Sequence, residues 1–361
     1  MALWETLREL PLRIGDVATA TGSFRVSPTF ERRTTVVRLR SGAACDDDAA
    51  DGLGEDVTYD PDEHEPSRFP RLDLRGDWTL GSLSERLDEL DLFPHGEPAQ
   101  PAFRHYRRWA FESAALDRAL RHNGLSLAEA LGREPRPVRF VSSTRAASLD
   151  PWLDLYPGLR FKLDATPEWT DELVAALAAR DVVDVVDLKG QYHGTAVDNP
   201  PDPALYRRVA EGLPSAWIED PALTPATDAV LAPHRDRVTW DAPIHAWTDV
   251  QALPFPPRCL NCKPSRFGTL ARLLDFYERC EERGIALYGG GQFELGVGRG
   301  QLQVLAALFH PDMPNDVAPV GYNEPAPRPG LETSPLAPRL DRVGFRRAPG
   351  PEERDPARSY S

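Results

Sequence analysis

Of the 42 Lys plus Arg residues in this 361-residue chain, three are lysine: Lys162, Lys189 and Lys263. A position that needs only a positive surface charge can take either residue. Lysine in an arginine-rich chain therefore points to sites where arginine cannot serve. An ammonium gives up its proton when burial or neighbouring cations lower its pKa, whereas a guanidinium stays charged, so all three lysines are candidates for proton transfer. Between Lys162 and Lys263 fall Asp187, Glu219 and Asp241, each at the polar end of a short apolar run. Three carboxylates make a hard, all-oxygen donor set, which suits Mg²⁺ better than zinc. Lys162 and Lys263 would flank such a cation from opposite sides, one taking a proton and the other returning one or steadying charge.

The elements that must position these residues are legible after Pro137. The apolar runs "VRFVSS", "LRFKLD", "VVDVVDL", "SAWIED", "RVTWDA", "RCLNCK" and "IALYGG" are separated by helix-like stretches such as "WTDELVAALAAR" and "TLARLLDFYERCEERG". That alternation implies parallel βαβ units. Lys162, Asp187, Glu219, Asp241 and Lys263 close successive runs at intervals of 22 to 32 residues. The near-regular spacing favours a closed barrel, whose chemistry gathers at the carboxyl ends of its strands. Upstream, residues 9–60 read as strand, loop, strand, with "RTTVVRLRSG" a half-exposed strand and "CDDDAADGLGED" a turn or mobile loop. Residues 103–132 read as a long amphipathic helix and then a shorter one.

Composition narrows the function classes. A formal charge of −14 and the lack of long basic clusters exclude nucleic acid as the main partner. No apolar run approaches the roughly 18 residues of a membrane span, and the start shows no leader pattern. No membrane association and a cytoplasmic location are the expectations. The four cysteines, Cys45, Cys259, Cys262 and Cys280, are too few to staple a chain of this size and read as small buried thiols.

In order along the chain, "RFKLD", "VVDLKG", "WIEDP", "TWDAP", "NCKPSRFG" and "GGGQFELGVGR" resemble the strand-end motifs of the enolase superfamily, in particular its muconate-cycloisomerase-like branch. The resemblance spans about residues 10–340. It implies an α/β protein, a (β/α)₇β modified TIM barrel under an α+β capping domain. The expected division is a cap over 1–105, the barrel over 106–323, a segment returning to the cap over 324–348 and a disordered tail over 349–361. "TATGSFRVS" and the acidic stretch near 45–52 would be capping loops. The implied chemistry is Mg²⁺-dependent removal of the proton α to a small substrate's carboxylate, with Mn²⁺ an acceptable substitute. Lys162 and Lys263 would be the acid/base pair and Asp187, Glu219 and Asp241 the metal ligands. In sites of this superfamily a lysine or histidine base works beside one or two Mg²⁺ ions that stabilise the developing enediolate. An isomerase (racemase, epimerase or cycloisomerase) is the leading expectation. A β-eliminating lyase like o-succinylbenzoate synthase is the alternative, and a non-catalytic barrel that binds metal and carboxylate comes third. The resemblance also admits a homo-oligomer. Lys189 departs from the pattern, standing where relatives usually carry Asn, and with Glu294 and Arg160 it completes the set of active-site candidates.

Overall fold

The computed structural model describes residues 2–27, 30–42, 50–145, 149–195 and 197–348. Cys45 and most of the acidic stretch, like the tail from 349, lie outside the described residues. The N-terminal part holds two antiparallel sheets. Strands β1 (Pro11–Ile14) and β5 (Gly76–Thr79) pair in one, while β2 (Asp16–Ser27), β3 (Phe30–Arg40) and β4 (Gly52–Asp56) form the other in the order 2-3-4.

Two segments differ from the sequence expectation. Residues 19–27, read as a capping loop, belong to the long strand β2. Residues 52–56, read as turn or mobile loop, form β4, which lies against the helix Ala102–His122. Glycine makes that approach feasible: a Cβ at Gly54 would stand 2.1 Å from Ala110 O, and one at Gly52 would stand 2.2 Å from Ala114 O. The glycines that suggested a turn are the ones that let a strand seat directly on a helix.

The second part is a ring of parallel strands. β6 (Ser142–Thr144), β7 (Phe161–Asp164), β8 (Val183–Asp187), β9 (Trp217–Glu219) and β10 (Val238–Thr239) pair in sequence order, and β11 (Cys259–Cys262) pairs with β12 (Ala286–Gly289). Main-chain hydrogen bonds join these two sheets and close the ring. Asn261 N donates to Trp240 O at 3.0 Å, Asp316 N to Gly289 O at 2.8 Å, and Val141 N to Asn315 O at 2.9 Å. The segment at Asn315 and Asp316 thus takes the eighth place. It sits in "MPNDVAPV", where prolines and polar residues hide any strand pattern.

Helices clothe the ring because their apolar residues recur at helical spacing. In Leu270–Glu282, Leu270, Leu273, Leu274, Tyr277 and Cys280 are all buried, and the Thr269 hydroxyl caps its start by accepting from Arg272 N. The C-terminal segment returns to the long helix. Phe345, itself buried, donates its N–H to Asp117 Oδ1 at 2.7 Å, and Arg346 Nε reaches Asp117 Oδ2 at 2.6 Å. Two buried side chains of the N-terminal sheets hold the loop after β12. Arg32 donates to the carbonyls of Gln292 and Phe293, at 2.9 and 3.2 Å. The Glu55 carboxylate accepts from the N–H groups of Leu295, Gly296 and Gly298 at 2.7–3.0 Å, at the start of the helix Val297–Phe309.

Candidate active site

Parallel pairing sets Asp187, the last residue of β8, beside Glu219, the last of β9, and beside Asp164, the last of β7. Lys162 lies one inward step below Asp164. Asp241 follows β10, and Lys263 follows β11. In the eight-place ring Lys162 occupies the second place and Lys263 the sixth, which are opposite, with the strands of Asp187, Glu219 and Asp241 between them. All five side chains are buried.

The acids are tightly partnered. Lys162 Nζ lies 2.5 Å from Glu219 Oε1 and 3.7 Å from Asp187 Oδ2. Lys189 Nζ lies 2.5 Å from the same Asp187 oxygen, and its own N–H donates to Asp187 Oδ1 at 2.9 Å. Asp241 takes Lys263 at 2.9 Å, Arg266 at 2.8 Å and the Tyr192 hydroxyl at 2.9 Å. The Tyr288 hydroxyl donates to Glu219 Oε2. Asp220 has a left-handed backbone, φ +49°, and its two oxygens accept from the N–H groups of Asp241 and Ala242. It is a turn-binding carboxylate that fixes where Asp241 points.

Electrostatics follow from this crowding. Burial alone would lower the Lys162 ammonium, yet Glu219 and Asp187 overrule it and hold it well above the ordinary lysine value. Asp241 and half-buried Asp316 act in the same direction. Burial would raise Asp187 as well, but Lys189 and Lys162 keep its carboxyl below the usual range. Glu219 is raised, mainly by burial, with Asp187, Asp241 and Asp220 adding to it against Lys162. Burial likewise pushes Asp220 up to about 7.

One oxygen from each of Asp187, Glu219 and Asp220 lies within 4.8 Å of the others, a cluster that could hold a metal ion. Buried carboxylate oxygens are the donors a hard divalent cation takes, so the residues fit Mg²⁺. The cluster contains Asp220 in place of the expected Asp241, although main-chain amides already take both Asp220 oxygens.

Not all candidates converge. Arg160 points away from the mouth to the starts of the strands, where its Nε meets Asp184 at 2.6 Å and its Nη1 the Asp181 carbonyl. Glu294 is buried against Arg299, 3.7 Å away, and accepts from Gln292 N, so it shapes the loop after β12. Lys263 instead packs where Gly290 lacks a side chain: a Cβ there would be 3.0 Å from Lys263 Cε. Cys259, Cys262 and Cys280 are buried free thiols, as expected. Arg266, Tyr192 and Tyr288 were missed. Arg266 lies three residues after Lys263 on the short helix Pro264–Phe267, a spacing that could have revealed it.

The fold is similar to that of solved structures described as members of the enolase superfamily. A solved member of that superfamily from Roseovarius nubinhibens ISM matches with a TM-score of 0.63 and 19% identity, covering 95% of each chain. A dipeptide epimerase from Methylococcus capsulatus, complexed with Mg ion, matches with a TM-score of 0.61 and 20% identity, covering 84% of this chain and 89% of its own. The chain belongs to the family defined by a domain of unknown function, DUF8230, whose N-terminal domain matches residues 5–130 and whose C-terminal domain matches 134–324. Among curated proteins, the o-succinylbenzoate synthase of Bacillus subtilis (strain 168) is 26% identical, over 57% of this chain and 57% of that protein. The similarity thus spans little more than half the length of that relative. No helix among the described residues is long and apolar enough to cross a membrane.

Proposed function

We propose that this protein is an enzyme that removes the proton α to the carboxylate of a small organic acid, with Lys162 and Lys263 as opposed proton-transfer groups. The observation that carries this reading is the placement of the two lysines across the ring, with three carboxylate strands between them. Asp187, Glu219 and Asp241 would hold Mg²⁺, or Mn²⁺ in its place. Asp241 is the third ligand in this reading, its oxygens held by side chains that can shift (Lys263, Arg266 and Tyr192), whereas those of Asp220 hold main-chain amides of the turn that follows β10. When bound, the cation would neutralise charge on the substrate carboxylate and offset the acids that keep lysine protonated.

The proton steps belong to the lysines. A free amine on one side takes the α-proton, and the C–H electron pair moves into the carboxylate to give an enediolate. If the opposite ammonium then gives its proton to the other face of the α-carbon, the product is the epimer. Arginine could stabilise the charge in either place but could not exchange the proton. The barrel, 106–323 in our division, would supply this chemistry, and the cap, 1–105 with 324–348, would bound the substrate.

Isomerisation is the leading outcome, because each face of the substrate has its own lysine. Similarity to an o-succinylbenzoate synthase favours a second outcome, β-elimination. There the electron pair of the enediolate expels a β-hydroxyl, which leaves as water with a lysine proton.

The test is exchange in D₂O. The protein is incubated with Mg²⁺ and a panel of N-acyl amino acids, dipeptides and β-hydroxy acids. Deuterium at the α-carbon that depends on both Lys162 and Lys263 supports the proposal. Tight carboxylate binding without exchange across the panel would sink it. Product stereochemistry and loss of water then separate isomerase from lyase.

A further inference from the structure

Lys189 is held in a conformation that lysine rarely adopts. Its φ of +55° is left-handed, a region that Asn and Gly occupy with less strain. The cost is offset by what the side chain reaches. Its ammonium lies 2.5 Å from Asp187 Oδ2 and 3.2 Å from Asp164 Oδ1, and sits 4.9 Å from the centre of the Tyr192 ring. Asp164 and Asp187 are register partners on adjacent strands, so the Lys189 ammonium lies between the two carboxylates, and a small shift of its side chain would let it leave Asp187 while keeping Asp164. Asp187 is fully buried, whereas the Asp164 side chain is 40% exposed.

We propose that Lys189 is a built-in competitor for the cation site, which occupies Asp187 Oδ2 until a divalent cation enters and then withdraws onto Asp164. This inference rests on the metal reading of Asp187, Glu219 and Asp241 given above. It follows from charge and space. An ammonium in contact with a carboxylate oxygen and a divalent cation bound to that oxygen repel each other strongly in a buried setting. Asp164 gives the displaced ammonium a partner at the edge of the mouth, so it need not be stranded. Chains with Asn at this position lack the competitor. The site is therefore built for weaker and more readily exchanged metal than its acids alone would give.

Direct titration with Mn²⁺, followed by the loss of its free electron-spin resonance signal, tests this without a substrate. The proteins are the wild type, Lys189→Asn, Lys189→Arg, Asp164→Asn and the Asp164→Asn/Lys189→Asn pair, each checked for folding by its melting transition. Lys189→Asn is expected to bind Mn²⁺ about tenfold tighter or more, as when a unit charge close to an ion is removed from a partly screened interior. Lys189→Arg is expected to stay near the wild type. Asp164→Asn should weaken binding several-fold in the wild-type background and much less in the Lys189→Asn background. Wild-type affinity in Lys189→Asn, or equal weakening by Asp164→Asn in both backgrounds, overturns the proposal. If no protein binds Mn²⁺ at millimolar concentrations, the metal reading falls and takes this inference with it. That outcome is distinct from binding that ignores Lys189.

Discussion

Lys162 Nζ contacts Glu219 Oε1 at 2.5 Å while standing 3.7 Å from Asp187 Oδ2, so one ammonium ties together the ends of two neighbouring strands. Its charge and its exchangeable proton can be separated by substitution. Lys162→Arg keeps a cation and is expected to fold, yet to lose α-exchange by about 10²–10⁴-fold. Lys162→Ala leaves buried carboxylates without their partner, and is expected to cost about 3–5 kcal/mol of stability as well. Exchange assays and denaturant melts on both variants check this. Full exchange in the arginine variant would remove Lys162 from the chemistry.

Gly290 leaves just enough room for Lys263. Its replacement by alanine would set a methyl group 3.0 Å from Lys263 Cε and 2.8 Å from Asn261 Oδ1. A flexible side chain can give way by a few tenths of an ångström, at the expense of its alignment. Gly290→Ala is expected to reduce the exchange rate about tenfold or more, with a melting temperature close to that of the wild type. A variant that loses stability but keeps its rate would show that Gly290 matters only for packing.

Arg107 is one of several buried cations of the N-terminal part. Its Nε meets Asp56 Oδ2 at 2.8 Å, its Nη1 meets Glu63 Oε2 at 3.3 Å, and it donates to the carbonyls of Leu92 and Glu63. Arg107 and Asp56 are both fully shielded from solvent. Arg107→Ala is expected to destabilise the chain by about 3–5 kcal/mol, because it strands a buried carboxylate. Arg107→Met with Asp56→Asn should recover part of that loss. Urea unfolding of the three proteins measures both.

His310 makes stability depend on pH. Asn315 Oδ1 accepts from Gly289 N and lies 2.6 Å from His310 Nδ1, so that nitrogen carries the proton. Burial holds the ring neutral and its pKa down to about 4. An unfolded histidine takes up its proton near pH 6.5, so the contribution is present above 6.5 and is lost as the pH falls from there to 4. The full effect is on the order of 3 kcal/mol. Melts of His310→Gln are expected to show a shallower loss of stability over that window than the wild type. Parallel curves would exclude His310 as the source.

The barrel was legible because its strands are apolar runs ended by charge, and because lysine is rare enough here to stand out. Composition was blind to Arg266, since an arginine in an arginine-rich chain carries no such signal, although it binds Asp241 as closely as Lys263 does. Tyr192 and Tyr288 were hidden for a related reason: an aromatic residue near a strand end reads as core until its hydroxyl is seen on a carboxylate. Arg160, an active-site candidate two residues before Lys162, runs its long side chain to Asp184 at the other end of the barrel. The eighth strand place has no periodic pattern, and only its main-chain hydrogen bonds reveal it.

Arg32 and Glu55 fasten the loop after β12 from the N-terminal sheets, through main-chain carbonyls and amides. Such a fastening is indifferent to which side chains the loop carries. Side chains of the loop can therefore change while the main-chain clasp persists. A chimaera that borrows a foreign N-terminal half must instead bring its own arginine and glutamate to those two positions, or its barrel will carry an untied loop at the mouth.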